Sequence, residues 1–338
     1  MSSRAATVIL GFVAALIAGF VGFQLGGAPA RAIEWRDLRA PEGEGGGARA
    51  DELSDLRLAV DQLRRGVPEG MATLPVPDTP VTLLGQTVPL DRADVREDLA
   101  YELILTIGRP LMPMLWLRRS HETLPLIQAQ LAKAALPDDL KYVAMIESDL
   151  RWMVTSPAGA EGLWQIMPET AKRFGLQVNA YIDERRDPDR ASEAATAYLK
   201  KLHEEFGDWF LAAAAYNAGE GRVREALSDQ GARPYFDLYL PRETRRYVLR
   251  ILAAKLVHED PVRYGLAPIR PIWIPEYRYV EVQVKGQRAD LHTLAAEHGI
   301  DYAALRIANP QLRGSTLPKG TYRLRVLVNG FGSVGGGN

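Results

Sequence analysis

Pro137-Asp138-Asp139-Leu140-Lys141-Tyr142-Val143-Ala144-Met145-Ile146-Glu147-Ser148 is the stretch on which the reading of the chain turns. Its acidic start suits a helix N-terminus, where unpaired backbone N–H groups favour negative charge. Leu140, Val143, Ala144 and Glu147 follow at i, i+3, i+4 and i+7, so they share one face. Three are apolar, and the fourth is a carboxyl at the end of the apolar stripe. Burial disfavours the charged form of a carboxyl and raises its pKa. A Glu kept neutral near pH 7 can hand a proton to a departing oxygen. An isolated Glu at a helix end would instead point to solvent, so its neighbours in the sequence decide.

Those neighbours run in order along a helical region from Arg96 to about Gly265, where nothing alternates with period two. The turn-rich Ser156-Pro157-Ala158-Gly159-Ala160 leads into Gly162-Leu163-Trp164-Gln165, with glycine where backbone can approach closely. Trp164 reads as core rather than as an exposed binding platform. Met167-Pro168-Glu169-Thr170-Ala171 opens a helix with proline in its first turn. A helix over Ser192 to Phe206 turns Ala195, Tyr198, Leu199, Leu202 and Phe206 inward. The nearly all-apolar helix Trp209 to Tyr216 ends in Tyr216-Asn217-Ala218-Gly219, which suits a pocket wall and equally a plain helix cap. Arg242-Glu243-Thr244-Arg245-Arg246-Tyr247-Val248 opens the last helix of the region.

Composition narrows the chemistry. The 338 residues carry 41 Lys and Arg against 42 Asp and Glu, so the broad positive charge of a nucleic-acid binder is absent. There is no cysteine, which removes disulfides, thiolate nucleophiles and N-terminal lipidation. No two of His121, His203, His258, His292 and His298 have zinc-motif spacing, so no metal is expected.

Arg4 precedes an apolar run from Val8 to Leu25, just long enough to span a bilayer. Residues 1–30 therefore read as a signal anchor or a cleaved signal peptide, with small-x-small cut sites at Ala28 to Ala32. The uncleaved anchor is preferred: a membrane-anchored protein facing the periplasm. Residues 31–94 read as a linker, glycine-rich near Glu42 to Gly47. It holds a short amphipathic helix with Leu53, Leu56, Val60 and Leu63 at coiled-coil spacing. Such a helix could dimerise or pack on its own enzyme domain. Val67 to Pro89 shows prolines and no clear period.

Past residue 272 the pattern changes. Tyr279 to Lys285 and Tyr322 to Val328 alternate like strands, and Leu291 to His298 and Tyr302 to Ala308 read as short helices between them. Residues 329–338 are a glycine-rich tail, expected to be flexible.

Together, Glu147-Ser148, Gly162-Leu163-Trp164-Gln165, Ala215-Tyr216-Asn217 and Tyr247 resemble the lytic transglycosylase family with its lysozyme-like fold. Trp164 and the Pro241-Arg242-Glu243-Thr244 run are most similar to its membrane-bound D-type branch. The resemblance spans residues 95–268. The strand–helix–helix–strand segment 272–328 resembles a degenerate LysM module, a glycan binder, or else is a packing appendage. The expected fold is thus mainly α: a lysozyme-like helical domain, a small α+β (βααβ, LysM-like) module, and an N-terminal membrane segment. The resemblance implies an enzyme that cuts peptidoglycan glycan strands without a cofactor, using Glu147 as sole acid and base. It implies substrate-binding roles for Ser148, Gly162, Gln165, Tyr216, Asn217 and Tyr247. Asp149-Leu150-Arg151-Trp152 departs from the family pattern and is expected to line a neighbouring sugar subsite. The competing readings are a goose-type lysozyme-like hydrolase and a non-catalytic wall-binding scaffold. Cell-wall synthesis or division partners are not legible.

Overall fold

The alanine run of residues 212–215 has no side chain large enough to hold neighbours away, and every residue from Phe210 to Ala215 is buried. Other helices close in around it. The computed structural model describes residues 76–328 except 79, 232, 268, 270 and 272. The apolar run Val8–Leu25, the leucine-spaced segment and the glycine tail lie outside the described residues. Among the described residues, no helix is long and apolar enough to cross a membrane.

The order is β1 (Val81–Leu83), β2 (Gln86–Val88), α1 (Ala93–Ile107), α2 (Leu111–Lys133), α3 (Lys141–Ser148), α4 (Pro168–Arg173), α5 (Pro188–Phe206), α6 (Trp209–Ala218), α7 (Glu220–Gln230) and α8 (Arg242–Glu259). A C-terminal module follows: β3 (Tyr277–Asp290), α9 (Leu291–Glu297), α10 (Tyr302–Ala308) and β4 (Thr316–Leu327). The helical region and the βααβ order match the expectation. Helix α8 packs against α1, α3 and α6, and α5 lies against α2 and α6. Helix α5 begins earlier than its apolar pattern suggests, because Asp187 caps it by accepting from the N–H groups of Asp189 and Arg190, with Pro188 in the first turn.

Residues 76–92, expected as the end of a linker, belong to the helical core instead. β1 and β2 pair antiparallel through a tight turn in which Leu84 and Gly85 both have positive φ, the requirement of a two-residue hairpin. Leu83, Leu84 and Val88 are almost wholly buried. The Leu84 N–H donates to Asp139 Oδ2 at 2.8 Å, just before α3. Gln86 donates to Asp208 at 2.8 Å and accepts from the Trp209 N–H at 2.9 Å. The hairpin thus braces the start of α3, which ends at Glu147-Ser148, and the start of α6, which carries Tyr216 and Asn217.

The C-terminal module is not a loose attachment. β3 and β4 form a long antiparallel pair with a register shift between Val284 and Arg288. Ile182 of the helical core joins the module's apolar cluster of Val282, Val284, Leu291, Leu305 and Leu324. Arg325 of β4 is 2% exposed and donates to Asp187, the cap of α5, at 2.7 Å. Tyr277 donates to Glu122 on α2 at 2.8 Å, and the Asp183 N–H donates to the Gln311 carbonyl at 2.9 Å.

If the hairpin belongs to the core, a chain starting at residue 93 should lose far more stability than one starting at 76. Each buried leucine removed costs about 2–5 kcal/mol. Urea unfolding monitored by circular dichroism measures the difference, and equal midpoints would return the hairpin to the linker.

Candidate active site

Glu147 sits one residue before the end of α3 because Asp149 and Leu150 leave the helix in left-handed conformations, at φ 56° and 59°. Neither is glycine, so the turn carries strain that its surroundings must hold. They do so from α2: Trp116 donates to Asp149 Oδ1 at 2.8 Å, and Arg119 donates to the Asp149 carbonyl at 2.9 Å. The unusual Asp149-Leu150-Arg151-Trp152 thus fixes the end of α3. Leu150 is buried, Arg151 donates to the Ser148 carbonyl, and Trp152 donates to Thr123. The Trp152 ring also lies 6.3 Å from Tyr277 of the module, with the Arg325 guanidinium over it. Each of these contacts is with the protein itself.

The Glu147 carboxyl is partly buried, and burial pushes its pKa above the ordinary carboxylate value. A hydrogen bond from the Tyr247 hydroxyl to Oε1, at 2.5 Å, and the charge of Arg250 pull it back part of the way. The exposed Glu243 pushes it up again. Tyr247 is 1% exposed on α8, with its own pKa raised well above the usual phenol range by burial and then by Glu147. Its neighbour Arg246 is buried against the buried Glu102 of α1, donating through Nε at 2.7 Å, and Arg250 approaches the other Glu102 oxygen at 3.4 Å. This ion-pair cluster locks the turn of α8 that presents Tyr247.

Beside this pair lies a cleft of about 310 Å³ lined by Gln165, Met167, Tyr198, Tyr216, Asn217 and Glu220, among others. Three of the substrate-binding candidates, Gln165, Tyr216 and Asn217, therefore share one wall. Tyr216 links cleft and acid: its pKa is raised by burial and then by the Glu147 charge, and its hydroxyl donates to the Trp164 carbonyl at 2.7 Å. Gln165 has φ 50° and spends its amide N–H groups on the carbonyls of Val154 and Gly162. Asn217 Oδ1 accepts from Thr244 at 3.3 Å.

Ser148 and Gly162 do not line this cleft. Ser148 is 1% exposed and donates to the Ala144 carbonyl one turn back. Gly162 has φ 77°, and a Cβ there would fall 1.9 Å from the Arg185 carbonyl oxygen. Only glycine fits, and the close approach is made by the chain's own backbone. Trp164 is fully buried and donates to Ser192 at 2.8 Å, so the core reading of this residue holds.

The sequence reading missed Glu220. Burial alone would raise its pKa, but hydrogen bonds from Arg173 and Tyr198 bring it down to about 2. Arg173 takes Oε1 at 2.6 Å and Tyr198 takes Oε2 at 2.7 Å. Its signal was an acid opening a helix directly after Gly219, which reads as helix capping alone. Among the described residues no group of three or more His, Cys, Asp and Glu side chains could hold a metal ion.

Residues 125–238 match the Transglycosylase SLT domain, and residues 280–326 match the Soluble lytic transglycosylase C-terminal LysM-like domain. The first match contains every candidate residue except Tyr247. The chain is 34% identical over 196 residues to the membrane-bound lytic murein transglycosylase D of Escherichia coli K12, covering 56% of this chain and 43% of that protein. It is 37% identical over 120 residues to the soluble lytic murein transglycosylase of the same strain, covering 33% of this chain and 19% of that one. The chain thus spans less than half the length of these relatives. Among solved structures, lytic transglycosylase Slt from Pseudomonas aeruginosa aligns at 30% identity over 43% of this chain and 24% of that one, with a TM-score of 0.34.

The Tyr247 hydrogen bond favours the ionised Glu147, so Tyr247→Phe should raise the Glu147 pKa further. The acid then stays protonated to higher pH. The alkaline limb of kcat/KM on soluble glycan oligomers should move upward while kcat falls. A limb that stays put or moves down would contradict the assignment.

Proposed function

We propose that this chain is a peptidoglycan lytic transglycosylase that cleaves the β-1,4 bond between N-acetylmuramic acid and N-acetylglucosamine and leaves 1,6-anhydromuramic ends. The observation that carries this reading is Glu147 itself, a carboxyl with raised pKa held by Tyr247 beside a cleft. The domain match over residues 125–238 supports it.

Glu147 as the neutral acid protonates the glycosidic oxygen as the bond to the anomeric carbon breaks. The substrate's own N-acetyl carbonyl assists at that carbon. The Glu147 carboxylate then takes the proton from the sugar's 6-hydroxyl, whose oxygen closes on the anomeric carbon. No water is consumed, and the acid is regenerated. Tyr247 donates to the carboxylate that exists between the two steps, where the hydrogen bond counts most. Gln165 Oε1 and the Asn217 amide are the groups that would hold acetamido or peptide-bearing substituents. Ser148 and Gly162 act from behind, one on α3 and one on the loop beneath Gln165.

The two-carboxylate route of many glycosidases needs a second free acid as base or nucleophile. Glu220, the carboxylate in the cleft wall, has both oxygens committed to Arg173 and Tyr198. Glu220 is therefore not that second acid, and the exposed Glu243, near enough to raise the Glu147 pKa, leaves the choice between hydrolysis and internal transfer to the product. A raised Glu147 pKa is also a cost that a non-catalytic scaffold has no reason to keep.

The relative's membrane-bound character, together with the Val8–Leu25 run, supports a place in the cell envelope with that run as an uncleaved anchor. N-terminal sequencing tests this. A mature start at Arg31 or Ile33 in soluble periplasm would overturn it.

Glu147→Gln should cut turnover by at least about 10²-fold, since the amide cannot act as an acid, while keeping the fold. Its effect on stability has a definite sign. Glu147 binds its proton more tightly folded than unfolded, so wild-type stability falls as pH rises from about 4.5 through the raised folded value. The Gln variant escapes that loss, and its Tm advantage should grow across the same window. Mass spectrometry of wild-type digests should show anhydro ends, and mainly reducing ends would move the assignment to hydrolysis.

A further inference from the structure

Arg325 of β4 is a buried cation that stability alone does not explain. It is 2% exposed, and its Nη1 has no hydrogen-bond partner among the described residues. Nη2 donates to Asp187 Oδ1 at 2.7 Å, and Nε lies 3.5 Å from Asp189. Taking a guanidinium out of water costs on the order of several kcal/mol, and apolar residues of similar volume often serve stability as well or better. A buried donor left idle adds to that cost. What the arginine does supply is direction, since a planar fork fixes the groups around it.

Three segments of the helical core meet at this side chain. The first is the start of α5, where Asp187 also accepts from the N–H groups of Asp189 and Arg190. The second is the turn after α3. The Trp152 ring lies 5.2 Å from the guanidinium, and Trp152 follows the left-handed Asp149 and Leu150 that end the helix of Glu147. The third is α2. Trp152 Nε1 donates to Thr123 there at 3.2 Å, and the neighbouring Glu122, whose charged form Arg325 favours, accepts from Tyr277 of β3. A second route leaves from Asp187. Its N–H donates to the Glu184 carbonyl, closing a turn with Arg185, which donates to the carbonyls of Gly159 and Ile166 on either side of Gln165.

We propose that Arg325 is a positioning residue for the reaction, acting through Trp152 on the end of α3 that carries Glu147 and through Asp187 on the loop that carries Gln165. The C-terminal module thereby sets the geometry of the cleft from outside it. This rests on the reading of Glu147 as the acid. The groups that act on the Glu147 proton are Tyr247, Arg250 and Glu243, with Tyr216 close enough to feel its charge. Substituting Arg325 changes none of them, so its effect on the acid travels through structure. A slackened turn admits water to Glu147 and lowers the pKa that burial raises.

The test uses the full chain, well below the Tm of each variant. Arg325→Met keeps the apolar stem and removes the charge. Because it leaves Asp187 unpaired, Arg325→Met with Asp187→Asn is measured beside it, Asn being as good a helix cap as Asp. For both, kcat on soluble glycan oligomers should fall about tenfold or more, since misplacing reacting groups by about 1 Å can cost roughly 10²-fold. The alkaline limb of kcat/KM should move down, opposite to Tyr247→Phe. Arg325→Lys should restore part of kcat. Trp152→Leu, which leaves the ion pair intact, should move the limb the same way, and combining it with Arg325→Met should add little further. Hydrogen exchange without substrate should quicken over residues 145–152 and 161–166 in Arg325→Met. A lowered Tm with kcat and the limb unchanged would make Arg325 a structural pair alone and overturn the proposal. Faster exchange confined to residues 316–327 would do the same. Should Glu147→Gln retain turnover, the catalytic reading falls by itself, and exchange over 145–152 still decides whether Arg325 holds that turn.

Discussion

A carboxyl that must be largely dry, yet joined to one hydroxyl at 2.5 Å, dictates how α3 and α8 meet. The two residues lie 100 positions apart, and proton-transfer geometry tolerates errors of only about 0.5 Å. Each partner is accordingly fixed from outside its own helix. On α8, the buried Glu102–Arg246 pair sits next to Tyr247. On α3, the left-handed Asp149 is pinned by Trp116. At the far ends, Asp139 links the hairpin turn to Lys255 of α8, which donates to both of its oxygens. Buried ion pairs seldom add much net stability, because desolvation offsets the attraction. Here their worth lies in direction: a guanidinium between two helices fixes rotation as well as distance.

The same region gathers the backbone strain. Five non-glycine residues have positive φ among those described: two of them, Asp149 and Leu150, closely follow Glu147 in the chain, and a third, Gln165, lines the cleft. Strained backbone persists only where surroundings over-determine it. The loop from Val154 to Ile166 is held by Arg185, which donates to the Gly159 and Ile166 carbonyls, and by Arg186, which pairs with buried Glu161. Gly162 completes it, since a side chain there would collide with the Arg185 backbone. This is the pattern of a site that gives up local stability to hold reactive groups in place.

Much of this was legible in the residues, and the failures have physical causes. The stripe from Leu140 to Glu147 lies on one helical face with Glu147 half-buried at its end, as helix periodicity needs only local spacing. The module's βααβ order was readable because β3 and β4 alternate. The hairpin at 81–88 was invisible: strands of three residues offer no period to detect, and Leu84 holds a conformation that leucine seldom adopts. Arg325 was equally hidden. In sequence it is one more charge in an alternating strand, beside Arg323, which stacks on Tyr279. Only tertiary contact buries one of the two. Glu102 and Arg246 lie 144 positions apart, and no spacing rule relates them. Ser148 was legible only as a motif position: its hydroxyl donates to the Ala144 carbonyl within α3, and it is not among the residues lining the cleft.

The docking of the module changes what its presence means. A tethered binder raises the local concentration of its partner domain without fixing geometry. Here Arg325 holds the cap of α5, the Asp183–Arg185 segment behind that cap supports the loop of Gly162 and Gln165, and Ile182 sits in the module's own apolar cluster. Truncating one member of a buried pair leaves the other charged and unpaired, at a cost of about 3–5 kcal/mol. Removing the module would therefore strip the base of the helix that lines the cleft beside Glu147. Module and helical core are better regarded as one folded body.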